Sequence, residues 1–186
     1  MTHSLRPSTR DAIIDAAFAV FSKNPSAALS EVATLAGVGR ATLHRHFASR
    51  EDLIRQLAKI ANDEMDQAVD EACAEVTSYS DAARKSLQAL IPLGDRYGFL
   101  ELEPLDNDPE LKAAYARQKR ETEDMVEAAK GEGLFDRTVP TSWIVQAYDH
   151  LLYAGWESVK AGETTPDQAA DLAWRTLTTG LRTQDS

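Results

Sequence analysis

At 186 residues, 43% hydrophobic and 27% charged, the chain has the make-up of an ordinary globular protein large enough to bury its own core. No apolar run approaches the roughly 20 residues of a membrane span, MTHSLRPSTR lacks the apolar stretch of a signal peptide, and the single Cys73 excludes an internal disulfide, so a cytoplasmic protein with no membrane partner is expected. A net charge of −10 argues against a nucleic-acid partner only until it is divided: of 20 Lys and Arg and 30 Asp and Glu, residues 1–60 hold 8 and 5, a balance of +3, leaving 12 and 25, or −13, for the rest.

In chain order, residues 1–7 read as an arm in which Arg6 is available to a phosphate. Ser8 and Asp11 make a capping pair for a first helix from Thr9 to Ser22, which buries Ile13, Ile14, Ala17, Phe18 and Phe21 and ends where Asn24 and Pro25 interrupt it. The stretch LSEVATLAGVGRATLHRHFASREDL, residues 29–53, then organises the chain. Ser30 is expected to cap a short helix from Glu31, with Val32, Leu35 and Ala36 on one face. Gly37 falls where a helix end calls for a left-handed residue, and Val38 turns inward. A second short helix begins near Arg40 and sends Leu43 and Phe47 to the core. Its other face carries Arg40, Thr42, His44, Arg45 and His46, donors that reach phosphates and base edges in a major groove.

Ser49 to Asp52 caps a long helix from Arg50 to about Val76, undivided by Gly or Pro, a stiff connector to the body. Helices follow over Asp81 to about Tyr97, interrupted by Pro92, and over Asp108 to about Lys130, with Pro109 at the first helical position and Glu132-Gly133 closing it. Between them Phe99, Leu100, Leu102 and Leu105 are too apolar for a solvated loop and are expected to pack inward, and Leu134-Phe135 is expected as a satellite of the core. The last two helices run from about Thr141 to Ala161 and from Pro166 to Leu181, the second opened by Thr165 and Gln168 in a capping box. No strand alternation of useful length occurs. The expected fold is all-α, about nine helices, with a helix-turn-helix domain at 1–50 and a C-terminal helical domain at 51–186.

The stretch from Leu29-Ser30-Glu31-Val32-Ala33 through Ala36-Gly37-Val38 and Thr42-Leu43 with Arg45-His46-Phe47 to Ser49-Arg50-Glu51-Asp52-Leu53, preceded by Ala12 to Ala17 and Phe18 to Phe21, resembles the DNA-binding module of TetR-family transcriptional regulators. Gly39, His44 and Arg50 stand where that family usually has Ser, Tyr and Lys; Gly still caps, His still donates, and Arg binds phosphate at least as well as Lys. The resemblance implies a dimeric regulator, a repressor, released from a double-stranded operator by a small-molecule effector. Arg40, Thr42 and Arg45 are the candidates for base contacts, with Ala41 able to meet a thymine methyl, and Ser30, His44, His46 and Arg50 for phosphate contacts. It further implies an effector pocket among the C-terminal helices containing Leu87, Leu90, Ile91, Tyr97, Leu111, Tyr115, Met125 and Trp143, residues that equally suit plain core. Aromatic and small residues mix on the last two helices, a surface for close packing, and the resemblance makes the partner the same helix pair of a second subunit through Ala147, Leu151, Ala154, Gly155, Ala170, Trp174, Leu177 and Leu181.

Catalysis and cofactors find no support. His44 and His46 point about 200° apart on a helix with no further ligand to complete a metal site. Cys73 has no neighbour in sequence to lower its pKa, and no Gly-rich phosphate loop or Gly-x-Ser-x-Gly occurs. The alternative to a regulator is a helical ligand-binding or protein-interaction module that has lost DNA binding.

Overall fold

The structure, a computed structural model, describes residues 8–103, Leu105 and residues 108–180. Among these the helices are α1 (Thr9–Phe21), α2 (Leu29–Leu35), α3 (Arg40–His46), α4 (Arg50–Cys73), α5 (Tyr79–Leu90), the single turn α6 (Gly94–Tyr97), α7 (Pro109–Gly131), α8 (Thr141–Lys160) and α9 (Pro166–Gly180). Eight are longer than one turn; 3-10 turns cover Ile91–Leu93 and Gly98–Leu102, and no strand occurs among the described residues. The all-α expectation therefore holds, while the arm with Arg6 and the interface candidate Leu181 lie outside the described residues. The chain forms two compact units, one of residues 8–61 with 96–103 and Leu105, the other of residues 62–95 with 108–180.

The first unit is built on α1. The Ser8 hydroxyl accepts from the Asp11 amide (3.2 Å) and the Asp11 carboxylate accepts from the Ser8 amide (3.2 Å), so the expected capping pair forms. Ile13, Ala17, Phe18 and Phe21 are buried, as are Val32 of α2, Leu43 of α3, Phe47, and Leu53, Ile54 and Leu57 of α4. A segment from far along the sequence joins this core: the Tyr97 ring stands edge-on to Phe18 (5.3 Å), and Phe99 lies against Phe18 and Phe21 (6.3 and 5.9 Å). Arg96 stacks over Phe18 at 4.4 Å, within cation–π range. Phe99 and Leu105 do pack inward, but Leu102, expected with them, is 65% exposed, because the 3-10 turn of Gly98–Leu102 puts neighbouring side chains on different sides. Leu35 is likewise 59% exposed, since the apolar face of α2 is set by Val32 and Ala33.

The second unit buries one apolar cluster drawn from α5, α7, α8 and α9, with Leu87, Ile91, Val126, Ile144 and Leu177 among its members. Phe135 belongs to that cluster and is no satellite, because the chain reverses at Gly133 (φ +84°) and returns the next residues to the core. Asp108 caps α7 by accepting from the Glu110 and Leu111 amides (3.0 Å each), and Thr165 and Gln168 form the expected reciprocal cap on α9 (2.9 and 3.3 Å).

Three boundaries of α4 and α5 differ from the sequence reading. α4 stops at Cys73, where the expectation is Val76; α5 starts at Tyr79, where it is Asp81; and α5 ends at Leu90, with Pro92 and its missing N–H confining the continuation to 3-10 geometry. The early start of α5 has a distant cause. Besides Ser78, whose hydroxyl accepts from the Asp81 amide (3.0 Å), the Glu132 carboxylate accepts from the amides of Tyr79 and Ser80 (2.8 and 2.9 Å) and from the Ser80 hydroxyl (2.7 Å). Those donors hold the Glu132 carboxyl below its usual range. The junction of α7 and α8 is closed by Lys130, 7% exposed, which donates to the Thr141 hydroxyl (2.7 Å) and to Glu127 (3.3 Å), while Thr141 donates to the same Glu127 carboxylate.

Candidate nucleic-acid interface

The turn between α2 and α3 follows from one residue. Gly37 takes φ +68°, where a β-carbon is strained, and this lets the Gly37 amide reach the Thr34 carbonyl (3.2 Å) and the Val38 amide the Ala33 carbonyl (3.0 Å), the paired bonds of a glycine-closed helix end. Val38 is half-buried, and Gly39 starts α3 in extended conformation without a side-chain cap. Leu43 and Phe47 are each 1% exposed, so α3 is held by its inner face.

Its outer face is open. Arg40, Ala41, His44, Arg45 and His46 are exposed and Thr42 is half-buried, with its hydroxyl accepting from the Arg45 guanidinium at 3.1 Å. That bond, between side chains three residues apart, orients the Arg45 fork. α3 thus brings six of the eight DNA-contact candidates onto one short helix. Ser30 is exposed on α2, but it does not cap: α2 begins at Leu29, Ala28 holds the cap position, and Glu31 reaches back to accept from the Ala28 amide (3.0 Å). Ser30 sits inside the first turn, where its carbonyl accepts from the Thr34 hydroxyl (2.8 Å).

Arg50 departs from expectation. Its two terminal nitrogens donate to the two oxygens of Glu103 (3.0 and 2.6 Å), one of them also donates to the Pro25 carbonyl (2.6 Å), and its plane lies over the Phe21 ring (5.1 Å). The hydrogen bonds to Glu103 push the guanidinium's pKa upward, against the lowering from burial. A guanidinium whose fork is filled by a carboxylate does not present that fork to a phosphate. Arg10, which the sequence reading passed over, stacks over Phe47 at 5.5 Å and donates to Gln56 (2.9 Å). Its place in the first turn of α1 is the only signal that the sequence carries for it.

The other candidate sets divide. Of the pocket residues, Leu87, Ile91 and Met125 belong to or pack on the core cluster of the second unit, and Leu111 is buried while Leu90 is half-buried. Tyr97 does not join them, because it stands on Phe18 in the first unit, and Tyr115 and Trp143 are 40% and 64% exposed. Of the interface residues, Gly155, Ala170 and Leu177 are buried within the subunit's own core: a β-carbon on Gly155 would stand 2.8 Å from the Ile91 terminal methyl. Ala147, Leu151 and Trp174 are half-buried and Ala154 is exposed. Beside them, Tyr153 and Leu172 are 42% and 45% exposed, so with Trp143 the outer faces of α8 and α9 carry three large apolar side chains in the open. Cys73 is half-buried, with its sulfur 3.7 Å from the Ser86 hydroxyl and the Ala82 carbonyl.

Residues 13–57 match the model of the family described as bacterial regulatory proteins, tetR family. The chain is 33% identical over 179 residues, 96% of its length and 93% of the relative's, to the HTH-type transcriptional repressor LfrR of Mycolicibacterium smegmatis. It resembles the crystal structure of LfrR from Mycobacterium smegmatis in complex with proflavine, with 32% identity, a TM-score of 0.78, and 95% of this chain and 97% of that one covered. The ketosteroid regulator KstR2 of Mycobacterium tuberculosis shares the fold, with a TM-score of 0.79 at 16% identity over 99% and 100% of the two chains. With its reader helix exposed on a glycine-closed turn and its likeness to LfrR running nearly end to end, the chain belongs to the TetR family of DNA-binding transcriptional regulators.

Proposed function

We propose that this regulator is a repressor that binds a pseudo-palindromic operator as a homodimer and leaves it when a small molecule binds its C-terminal helices. The observation that supports this most directly is the open outer face of α3, with Arg40, Ala41, Arg45 and the half-buried Thr42 as base contacts and His44 and His46, with Ser30 of α2, as phosphate contacts. A two-fold dimer sets its half-sites about 34–36 Å apart, or a multiple of that. The exposed Trp143, Tyr153 and Leu172 support α8 and α9 as the surface that meets the second subunit. The kinship with a repressor crystallised with proflavine supports a planar aromatic cation as the effector class, and the acidic body of this chain attracts such a cation.

The test is binding to duplex DNA from the region flanking the protein's own coding sequence, titrated over salt beside an Arg40→Ala/Arg45→Ala variant. Tight, salt-sensitive binding to one segment that the variant loses, and that proflavine reverses, is the expected result. Equal weak binding by both proteins to that DNA and to duplexes selected from a random pool would overturn it.

A further inference from the structure

Arg50 is placed as the first residue of α4, directly after the turn that leaves α3, and it is anchored on three sides: the Phe21 ring at the end of α1, the Pro25 carbonyl before α2, and Glu103. Glu103 is itself a fixed partner, because Tyr97 and Phe99 root its segment on Phe18 and Phe21, and Arg96 adds a bond to Asp15 (3.8 Å). The pair is two-pronged, and its members expose 31% and 10% of their side chains. Around it the first turn of α4 is acidic: Glu51 is exposed, with the Ser49 hydroxyl and then its own amide holding its carboxyl below the usual range, and Asp52 accepts from the Ala48 amide (3.1 Å). Nothing in this turn offers an unneutralised cation to a phosphate.

We propose that Glu103 and Arg50 act together as positioning residues for operator recognition. Glu103 fills the Arg50 fork and so locks the first turn of α4 to the corner between α1 and α2, which fixes how α3 meets base edges. This rests on the DNA-binding assignment and assigns Arg50 a role other than the phosphate contact that its sequence position suggests. Because neither member of the pair contacts a phosphate in this arrangement, loosening it leaves the number of phosphates neutralised, and with it counterion release, unchanged. What it disturbs is the register of α3, so sequence-specific affinity falls and non-specific affinity does not.

The experiment measures affinity by fluorescence anisotropy, over a range of salt, for the duplex the wild type selects from a random pool and for a scrambled duplex. Wild type, Glu103→Gln, Arg50→Lys, the double variant and Glu103→Asp are compared, with helicity checked for each. Failure of the wild type to select any duplex would reject the DNA-binding assignment itself, before any variant is read. The expected result is that Glu103→Gln and Arg50→Lys each weaken specific binding about tenfold, the size of one charge-assisted hydrogen bond. The salt slope and the scrambled-duplex affinity stay at wild-type values, the double variant is no weaker than either single one, and Glu103→Asp recovers part of the loss. If Glu103→Gln binds more tightly with a slope steeper by about 0.9 per subunit, or Arg50→Lys binds as wild type, Arg50 is a phosphate contact that Glu103 shields and the proposal fails. It fails equally if specific and scrambled duplexes lose affinity together. Should Glu103→Gln lose helicity, Arg50→Lys alone carries the same comparison.

Discussion

Gly94→Ala is the substitution for which the structure gives the sharpest magnitude. A β-carbon there would lie 2.2 Å from Cδ1, 2.3 Å from Cγ and 2.8 Å from Cβ of Trp156, the root of a ring and not a flexible end. That ring cannot swing aside without loss, because its indole N–H donates to the Leu90 carbonyl at 3.0 Å. Overpacking of this severity costs about 3 kcal/mol, and the broken hydrogen bond about 1. Replacing glycine in a helical backbone (φ −59°, ψ −35°) returns about 1. The net expectation is a destabilisation of about 3 kcal/mol. Gly155→Ala is the control, since its new methyl would meet Ile91 Cδ1 at 2.8 Å and Cγ1 at 3.1 Å, the mobile end of a side chain. There a cost of about 1 kcal/mol is offset by the similar helix-propensity gain, and the variant should match wild type within about 0.5 kcal/mol. Urea unfolding followed by tryptophan fluorescence, at one protein concentration so that any association is compared on equal terms, measures both. Gly94→Ala as stable as wild type, or Gly155→Ala the more damaging of the two, would show that α8 does not press on this segment as described.

Glu132→Gln should lower the unfolding midpoint at neutral pH. A carboxyl held below its usual range stabilises fully above its unfolded-state pKa and ceases to as pH falls through the lowered value, so the gap to wild type should close in acid; a constant gap would mean that packing, not charge, was lost. Asn62 is 5% exposed and its amide nitrogen has no hydrogen-bond partner among the described residues, so Asn62→Leu should raise stability by about 1–2 kcal/mol in urea unfolding, and a loss would show that the amide is satisfied in solution. Tyr153→Asp should weaken the proposed dimer by at least about 2 kcal/mol in sedimentation equilibrium with helicity unchanged; an unchanged dimer would move the interface off this face. Arg45→Ala should cost about 1–3 kcal/mol of operator affinity and relax preference at one base position, whereas an equal loss on all sequences would make Arg45 a phosphate contact.

What was legible in the sequence was local. The Ser8/Asp11 and Thr165/Gln168 caps, the Asp108-Pro109 start and the Gly37 turn each involve partners within a few residues, so spacing alone specifies them. A hydrophobic pattern tells which face of a helix is apolar but not which body it meets. Hence the pattern groups Tyr97 with Leu87 although Tyr97 packs on Phe18, and offers Gly155 for a subunit contact although the close neighbour its size admits is Ile91 of the same chain. The cap that Glu132 places on α5 and the clamp of Glu103 on Arg50 span separations of 53 residues and leave no periodic trace.

The same partnerships explain how a chain of net charge −10 can read DNA with so few cations. Within residues 8–61, Arg50 is neutralised by Glu103, Arg55 lies 3.6 Å from Asp52, and Arg10 is held by Gln56 and the Phe47 ring. Among the described residues neither Arg40 nor Arg45 is paired with an acid, and both are exposed on α3. Two arginines without an acidic partner therefore lie on the helix proposed to enter the groove, while Arg50 and Arg10 pack behind it. In the proposed dimer each of these two arginines meets the operator twice. On that proposal operator occupancy depends on dimer integrity as well as on either arginine.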